Sequence, residues 1–230
     1  MSRWDISGCT VKTVSIEQDV EGRRGRKARR TRQALADAAL ELVLQHGLAA
    51  VSVEDVSEHA DVSRRTFSRY FSSKEEAVLD CVRADCERIN AALAARPAGE
   101  QPLTAYRAAL RNWLSDQREP AWHRRPGMRD LLRLVTVEPS LTAVHRRISV
   151  EAEEESIRLV AARLGVDPER DLRPSVAVGA GVAALLAAAR AWVRAPGPDD
   201  LPDLLERAFD LLTAEPSAEG PPVHGRKSTS

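Results

Sequence analysis

Apolar residues recur along the chain with the spacing of amphipathic α-helices, and no segment alternates in the manner of a β-strand. The pattern predicts short helices between about residues 33 and 70, then a long helix from Ser73 to about Ala95. The segment RPAGEQP, residues 96–102, interrupts the pattern and predicts a domain boundary. Four or five more helices are expected beyond it, at about 103–117, 127–137, 139–164, 174–193 and 201–213. The predicted fold class is therefore all-α.

The short N-terminal helices carry clear start and stop signals. The pair His46-Gly47 ends the first helix, and Ser52 with Asp55 three residues later predicts a capping box at the second. Asp61 is expected in a left-handed turn, and Ser63 is expected to cap the next helix. A short helix, a tight turn and a second short helix between longer ones is the helix-turn-helix arrangement, so this pattern favours a DNA-binding unit.

Composition and charge divide the chain further. Residues 1–22 and 215–230 are predicted to be disordered, 23–75 to be a basic arm with the helix-turn-helix, and 76–214 to be a second helical domain. Eleven Lys or Arg against six Asp or Glu between residues 23 and 74 give +5, so the rest of this neutral chain carries −5. Such a division is typical of a nucleic-acid-binding segment joined to a separate domain.

The helix-turn-helix assigns chemistry to particular side chains. Phe67 and Phe71, four residues apart, are expected to be buried, which turns the polar face of their helix outward. Arg64 and Arg65 then lie where the N-terminal residues of a recognition helix meet base edges, and arginine can bind guanine O6 and N7 with two hydrogen bonds. Thr66, Tyr70 and Lys74 are placed for phosphates, as is Ser52 at a helix N-terminus.

The stretch VSVEDVSEHADVSRRTFSRYFSSKEEAV resembles the N-terminal DNA-binding domain of the TetR family of transcriptional regulators, over about residues 28–78. The resemblance implies three DNA-binding helices and a larger helical domain that binds a small molecule and dimerises. Ser68 stands where the family often has an aromatic residue and Asp61 where it often has glycine, so base or phosphate contact at Ser68 is altered. The C-terminal half is also similar to regulators related to the mycofactocin-system repressor. The expected DNA contacts are as follows: bases, Arg64, Arg65 and Ser68; phosphates, Ser52, Ser63, Thr66, Arg69, Tyr70 and Lys74.

The basic run RRGRKARRTR occupies residues 23–32, and the first helical period begins inside it. Seven of its ten residues are Lys or Arg, and a run of this kind is often only a solvated charged surface. Directly before a helix-turn-helix, however, a basic arm commonly enters the minor groove. The residues expected to contact DNA in this way are Arg23, Arg24, Arg26, Lys27, Arg29 and Arg30.

The second domain is expected to hold an effector and to form a homodimer. The small residues of PSVAVGAGVAALLAAARAW allow close helix approach, either within one subunit or, as the family implies, between two copies. Arg129 and Arg133 could receive an anion or merely face solvent, and an acyl-CoA or another lipophilic acid is the effector class first considered. Apolar residues expected to line a pocket, or else only to fill the core, are Trp113, Trp122, Met128, Leu132 and Val135.

Other classes of function have less support in the sequence. No GxSxG, HExxH or glycine-rich phosphate loop occurs, so no catalytic residue, metal or cofactor is predicted. No secretory signal is seen, the apolar run 176–189 is short for a membrane span, and three cysteines without CxxC favour a cytoplasmic protein. Two alternatives stay open: a DNA-binding regulator without an effector, and one that responds through the thiols of Cys81 or Cys86.

Overall fold

The polypeptide is folded almost entirely into α-helices, as its periodicity predicts. The computed structural model describes residues 10–194 and 200–214, with side chains from residue 25 onward. This part of the chain contains no β-strand, which confirms the all-α prediction. Its helices are α1 (Thr10–His46), α2 (Val53–His59), α3 (Arg64–Tyr70), α4 (Lys74–Val78), α5 (Asp80–Ala94), α6 (Pro102–Ser115), α7 (Met128–Val137), α8 (Pro139–Leu164), α9 (Leu172–Arg194) and α10 (Leu201–Thr213). Single 3₁₀ turns at Leu48–Ala50 and Trp122–Arg124 precede α2 and α7.

Helices α1, α2 and α3 form the predicted three-helix unit. The capping box is present: Asp55 N donates to Ser52 Oγ at 3.1 Å, and Ser52 N donates to Asp55 Oδ2 at 2.8 Å. Asp61 has a φ of 51°, the left-handed conformation expected at the turn. Phe67 and Phe71 are buried in the core that also contains the apolar residues of α1, with ring centroids 5.7 Å apart. The aromatic pair therefore fixes the orientation of α3.

The N-terminal segment departs from expectation. Residues 1–22 are predicted to be disordered, but α1 begins at Thr10 and continues through the basic run without interruption. Arg, Lys, Ala and Gln are good helix formers, and no proline occurs between Thr10 and His46 to stop the helix. The basic run is therefore helical in this structure and is not an extended arm.

The predicted single helix from Ser73 to about Ala95 is divided at Leu79. This residue has φ −95° and ψ 9° and ends α4, and its side chain is fully buried. Helix α4 packs on α1, whereas α5 packs on α6 and α8. The break lets the two segments follow different neighbours, so it lies between the DNA-binding unit and the second domain.

Helices α5 to α10 build the second domain, with α9 packed against α6, α8 and α10. Close packing of α9 on α6 depends on Gly181, because a Cβ there would lie 2.3 Å from Cδ1 of the buried Tyr106 ring. Nearby, Ser156 Oγ donates to Asn90 Oδ1 at 2.6 Å and ties α8 to α5. The small residues of α9 thus serve contacts within one subunit on this face.

The start of α9 also differs from the prediction. The sequence GVDPER, residues 165–170, predicts a helix that is capped by Asp167 and has Pro168 at its first position. Instead Asp167 closes a turn, with its carbonyl accepting from Arg170 N at 3.1 Å. Asp171 takes the capping position, since its Oδ1 accepts from Arg173 N at 2.9 Å just inside α9. The predicted disordered tail, 215–230, lies outside the described residues.

Helix α9 is longer than the apolar run that marks it in the sequence. Its 23 residues include an 18-residue window with a mean hydropathy of 1.8, of which a third is buried. Within the described ranges it is the one helix that length and composition alone would allow to cross a membrane. The shortness of the apolar run 176–189 therefore does not exclude a membrane-spanning helix. One face packs on the domain and the opposite face is exposed.

Candidate DNA-binding surface and effector site

The outward face of α3 carries the predicted base-contacting residues. Arg64, Arg65 and Ser68 are all exposed, and Phe67 between them is buried. Arg64 forms an ion pair with Glu54 of α2. The helix thus presents two guanidinium groups and a hydroxyl on one surface, and one guanidinium is already paired with an acid.

The serine and threonine hydroxyls in the predicted phosphate set are engaged by the protein itself. Ser52 Oγ donates to Asp55 Oδ2 at 2.7 Å. Ser63 Oγ accepts from Thr66 N at 3.1 Å and lies 3.0 Å from Thr66 Oγ1. These hydroxyls stabilise the N-termini of α2 and α3, so they fix the geometry of the surface in addition to any contact with DNA.

Arg69 and Tyr70 form the other end of this surface. The Arg69 guanidinium lies 4.9 Å from the centre of the Tyr70 ring and donates to Tyr70 Oη at 3.3 Å. Arg69 is exposed and Tyr70 is half-buried. Stacking holds the positive charge at the rim, where a phosphate could reach it.

Lys74 has a structural role that its sequence position does not reveal. Its Nζ donates to the backbone oxygens of Leu48 and Val51, both at 2.6 Å. Two of the three ammonium hydrogens therefore hold the turn before α2, and only the third remains for a phosphate. The first role of Lys74 is therefore to stabilise the fold of the helix-turn-helix unit.

The basic run divides into exposed residues and one structural residue. Arg26, Lys27, Arg29 and Arg30 are exposed on α1, whereas the side chains of Arg23 and Arg24 lie outside the described part. Arg32 instead faces inward. Its Nη2 and Nε donate to the Asp80 carboxylate at 2.5 and 3.1 Å, its Nη1 donates to Tyr70 O at 3.3 Å, and it lies over the Phe71 ring. Asp80 follows directly on the Leu79 break, so this pair joins α1 to α5.

The predicted pocket residues lie together in the second domain. Trp113, Trp122, Met128 and Val135 are buried and Leu132 is half-buried. The Trp122 ring lies at the centre of a cluster, with centroid distances of 6.1 Å to Trp113 and 5.6 Å to Trp192. Trp192 comes from α9 and was not among the predicted residues, because nothing in its own helix separates it from core.

A buried carboxylate lies next to this aromatic cluster. Asp85 of α5 is 1% exposed, and its Oδ2 accepts from Trp122 N at 2.8 Å. Arg88 Nη1 donates to Oδ1 at 2.9 Å, and Arg125 Nη2 lies 3.8 Å from the same oxygen. Burial raises the pKa of Asp85, and the charge of Arg125 opposes the rise. An aspartate on an otherwise apolar helix face is the sequence signal for such a group.

His123 adjoins the cluster and has the least satisfied side chain in it. It is 8% exposed, and neither ring nitrogen has a hydrogen-bond partner among the described residues. The nearest acid is Asp200, whose Oδ1 lies 3.7 Å from Nε2. Burial lowers the pKa of His123, and Asp200 only partly counters this. The imidazole is therefore neutral near pH 7.

The two arginines that could receive an anion have other contacts. The Arg129 guanidinium lies 4.3 Å from the centre of the Trp192 ring. Arg133 pairs with Asp130 at 2.9 Å and donates to Val193 O at 3.3 Å. These contacts give no support to an anion site at this position.

The two domains touch at points away from the Leu79 break. A Cβ on Gly127, whose φ is +76°, would lie 2.3 Å from Leu44 Cδ1 of α1. A cleft of about 320 Å³ lies beside this contact and is lined by Asp37, Leu40, Glu41, Leu44, Gln45, Pro126 and Gly127. Glu76 of α4 also forms an ion pair with Arg147 of α8. The segment before α7 therefore packs directly on α1.

The described cysteines are poorly suited to redox signalling. Burial raises the pKa of Cys81 to about 11 and that of Cys86 to about 12, so both thiols stay protonated. Within residues 10–194 and 200–214, no three His, Cys, Asp or Glu side chains are grouped to hold a metal ion.

Comparison with known proteins agrees with this architecture. The family model for bacterial regulatory proteins of the tetR family matches residues 35–81, and the model for the MftR C-terminal domain matches residues 100–216. The transcriptional regulator TcmR of Streptomyces glaucescens is 39% identical over 198 residues, which cover 84% of this chain and 88% of TcmR. MftR of Mycobacterium tuberculosis, named as a mycofactocin biosynthesis regulator, is 28% identical over 195 residues, covering 84% and 95%.

Among solved structures, the repressor SmeT of Stenotrophomonas maltophilia superposes with a TM-score of 0.49 at 20% identity, covering 78% of this chain and 87% of SmeT. The two family models match both halves of the chain, and the match to TcmR spans most of it. The helix-turn-helix with its outward arginines and the helical second domain fit these matches. The chain belongs to the TetR family of transcriptional regulators.

Proposed function

We propose that the protein is a cytoplasmic, ligand-responsive repressor that binds a palindromic operator as a homodimer. The observation that carries the DNA-binding part is the orientation of α3, which turns Arg64 and Arg65 outward because Phe67 and Phe71 are buried. Arg65 and Arg64 read bases, and the exposed basic residues of α1, with Arg69, contribute phosphate contacts. Repression is supported by the family alone.

Dimerisation is supported by an apolar stripe on α9. Leu172 and Val176 are 76% and 65% exposed, and Ala183 and Leu186 lie further along the same side of the helix. A contiguous exposed apolar stripe marks an interaction surface. A second copy of α9 is the occupant that the family implies, and its small residues would permit close approach. Two recognition helices would then reach successive major grooves, about 34–36 Å apart.

The segment 121–127 is the route by which an effector would act on DNA binding. At one end, beside the aromatic cluster, Trp122 N donates a hydrogen bond to the buried Asp85 carboxylate, and Arg125 forms an ion pair with it. At the other end Gly127 packs on Leu44 of α1. An effector that displaces Trp122 would move this segment and thereby press on α1. Such an effector weakens repression only if it prefers the DNA-incompetent arrangement, by tenfold for each 1.4 kcal/mol.

In vitro selection of duplex DNA with the purified full chain, at near-physiological salt, tests the DNA-binding part. We expect an enriched palindrome with half-sites about one helical turn apart. The Arg65→Ala variant should relax the preference at particular bases. Binding that collapses as salt rises, with no sequence enriched, would contradict the proposal.

Sedimentation tests the dimer separately. Val176→Asp places a charge on the exposed stripe of α9 and should yield monomers that bind a half-site only. Val137→Asp is the matched control, since Val137 is 71% exposed and belongs to α7, not to α9. Equal dissociation by both variants would show that α9 is not the interface.

A further inference from the structure

Two side chains in the second domain, His123 and Trp113, have buried polar atoms without a hydrogen-bond partner among the described residues, and both lie in an aromatic setting. The aromatic rings are those of Trp113, Trp122 and Trp192. The His123 ring lies nearly perpendicular to the Trp122 and Trp192 rings, at centroid distances of 6.1 and 6.4 Å. The unsatisfied atoms are both imidazole nitrogens of His123 and Nε1 of Trp113, within the described part of the chain. Trp113 Nε1 lies near Asp85 and lowers its pKa, but not in hydrogen-bond geometry.

Unsatisfied buried polar atoms are rare because each one costs free energy that a partner would recover. Four elements of the fold contribute to this cluster: α5, α6, the turn before α7, and α9. The cluster also adjoins the segment 121–127 that reaches α1. Its position and its missing partners therefore mark it as the place where a ligand gains most from binding.

We infer that the effector is a neutral aromatic molecule with a ring-borne hydroxyl or carbonyl oxygen, which hydrogen-bonds His123 and Trp113 while its ring packs among the indoles. This inference rests on the proposed effector-binding function and names the ligand class for that site.

The aromatic side chains around this site indicate that the ligand contains an aromatic ring. Indole and imidazole faces and edges favour another aromatic ring, with offset or edge-to-face contact, over a flexible alkyl chain. A ligand ring that enters between the indoles replaces ring contacts with similar ones. Only the added hydrogen bonds then give a net gain, so the oxygen is what distinguishes a good ligand from a bare hydrocarbon.

The unsatisfied nitrogens of His123 and Trp113 indicate a ligand with a hydroxyl or carbonyl group. The buried charge of Asp85 indicates that the ligand is neutral. A neutral imidazole has one donor and one acceptor nitrogen, and the Trp113 indole is a donor. A hydroxyl can satisfy either kind of group, whereas a carbonyl serves the donors. An anionic acid would meet the buried Asp85, whose two arginine neighbours are already engaged. A lipophilic carboxylate or acyl-CoA therefore fits less well than a phenol.

Calorimetric titration of the DNA-free full chain with a matched pair of probes tests the inference. The probes are 2-naphthol and naphthalene, which differ by one hydroxyl, and lauroyl-CoA serves as the acyl rival. We expect 2-naphthol to bind at least about fivefold more tightly than naphthalene, which is the size of one net hydrogen bond. Equal affinity for the two, or tighter binding of lauroyl-CoA, would overturn the inference.

Variants at His123 and Trp113 test whether these two side chains bind the hydroxyl of 2-naphthol. His123→Phe keeps a ring but removes both nitrogens, and it should bring the affinities for 2-naphthol and naphthalene together. Trp113→Phe should reduce their ratio in the same direction and replaces the first variant if His123→Phe does not fold. His46→Phe, at an exposed histidine of α1, is the control that should keep the wild-type ratio. An unchanged ratio in both folded test variants would place the hydroxyl elsewhere and contradict the inference.

The DNA selection described above separates this inference from the proposed function. A chain that selects an operator but does not distinguish 2-naphthol from naphthalene would overturn the ligand class and leave the regulator intact. A chain that distinguishes the probes but selects no operator would support the ligand class and overturn the proposed function.

Discussion

Arg64 at the N-terminus of the recognition helix forms an ion pair with Glu54 on the preceding helix. Both side chains are exposed, at 71% and 56%, so solvent screens the pair and it contributes little to stability. If α3 contacts DNA as proposed, Glu54 would compete with a base for Arg64 and would add a negative charge beside the phosphates.

Replacing Glu54 should therefore strengthen operator binding. In Glu54→Gln the guanidinium is released and one repulsive charge is removed, and we expect affinity to rise about two- to tenfold at near-physiological salt. Fluorescence anisotropy with a labelled operator measures the change. Glu58→Gln, an exposed acid on the same helix, is the matched control, and an equal rise in both variants would indicate a general charge effect without a specific role for the pair.

Lys74→Met should destabilise the protein. Removal of the ammonium leaves the Leu48 and Val51 carbonyls without these donors, and we expect the free energy of unfolding to fall by about 2 kcal/mol. Urea denaturation measures this loss. The exposed Arg69→Ala should instead leave stability nearly unchanged and reduce the salt dependence of operator binding by about one unit. A Lys74→Met protein of wild-type stability would show that the two hydrogen bonds contribute little.

Gly181→Ala should disturb the packing of α9 on α6. The new Cβ would lie 2.3 Å from Tyr106 Cδ1 and 2.8 Å from Cε1, and the buried ring has little freedom to withdraw. We expect a loss of about 1–3 kcal/mol in the free energy of unfolding, measured by urea denaturation. Gly179→Ala, on the same helix with no atom within 4 Å of its Cβ, should not destabilise the subunit. Equal losses would point to the helix backbone as the cause.

The pair formed by Glu76 and Arg147 should give the protein an acid-sensitive component of stability. Desolvation raises the pKa of Glu76, but hydrogen bonds from Ser72 and Arg147 outweigh it and lower that pKa from 4.5 to about 2. A lowered pKa stabilises the fold above pH 4.5, and this contribution is lost as pH falls toward 2. Glu76→Gln should lower the free energy of unfolding at pH 7 by about 1–2 kcal/mol, after allowance for the exposed Arg147, and by less at pH 3.

Urea denaturation at both pH values, with Glu58→Gln as an exposed control, measures that difference. A Glu76→Gln protein that loses the same free energy at pH 7 and pH 3 would show that packing, and not charge, accounts for the effect.

Thiol reagents should leave regulation unchanged. In Cys9→Ser protein the remaining thiols are Cys81 and Cys86, whose pKa values of about 11 and 12 keep them protonated at pH 8. We expect labelling by a chromogenic disulfide to be at least about a hundred times slower than in urea-unfolded protein. Fast labelling accompanied by altered operator affinity would revive the thiol-responsive alternative.

Several features follow from the sequence because they depend on residues close together in the chain. The Ser52–Asp55 capping box, the left-handed Asp61 and the burial of Phe67 and Phe71 are confirmed, as are α8 and α10. Caps, turns and helical periodicity are local, so a window of a few residues contains their cause. Local signals mislead at Asp167, because the true cap of α9 lies four residues later.

What the tertiary structure alone decides is which distant groups meet. Four contacts join elements that are far apart in sequence. They are those of Lys74 with the Leu48 and Val51 carbonyls, Arg32 with Asp80, Asp85 with Trp122, and Gly127 with Leu44. The break at Leu79 has the same origin, since α4 and α5 pack on different neighbours. The sequence by itself determined the helices and the outward arginines of α3, because periodicity and capping are encoded within each segment. Only packing decided which buried polar groups of the second domain found partners and which, like those of His123, have none among the described residues.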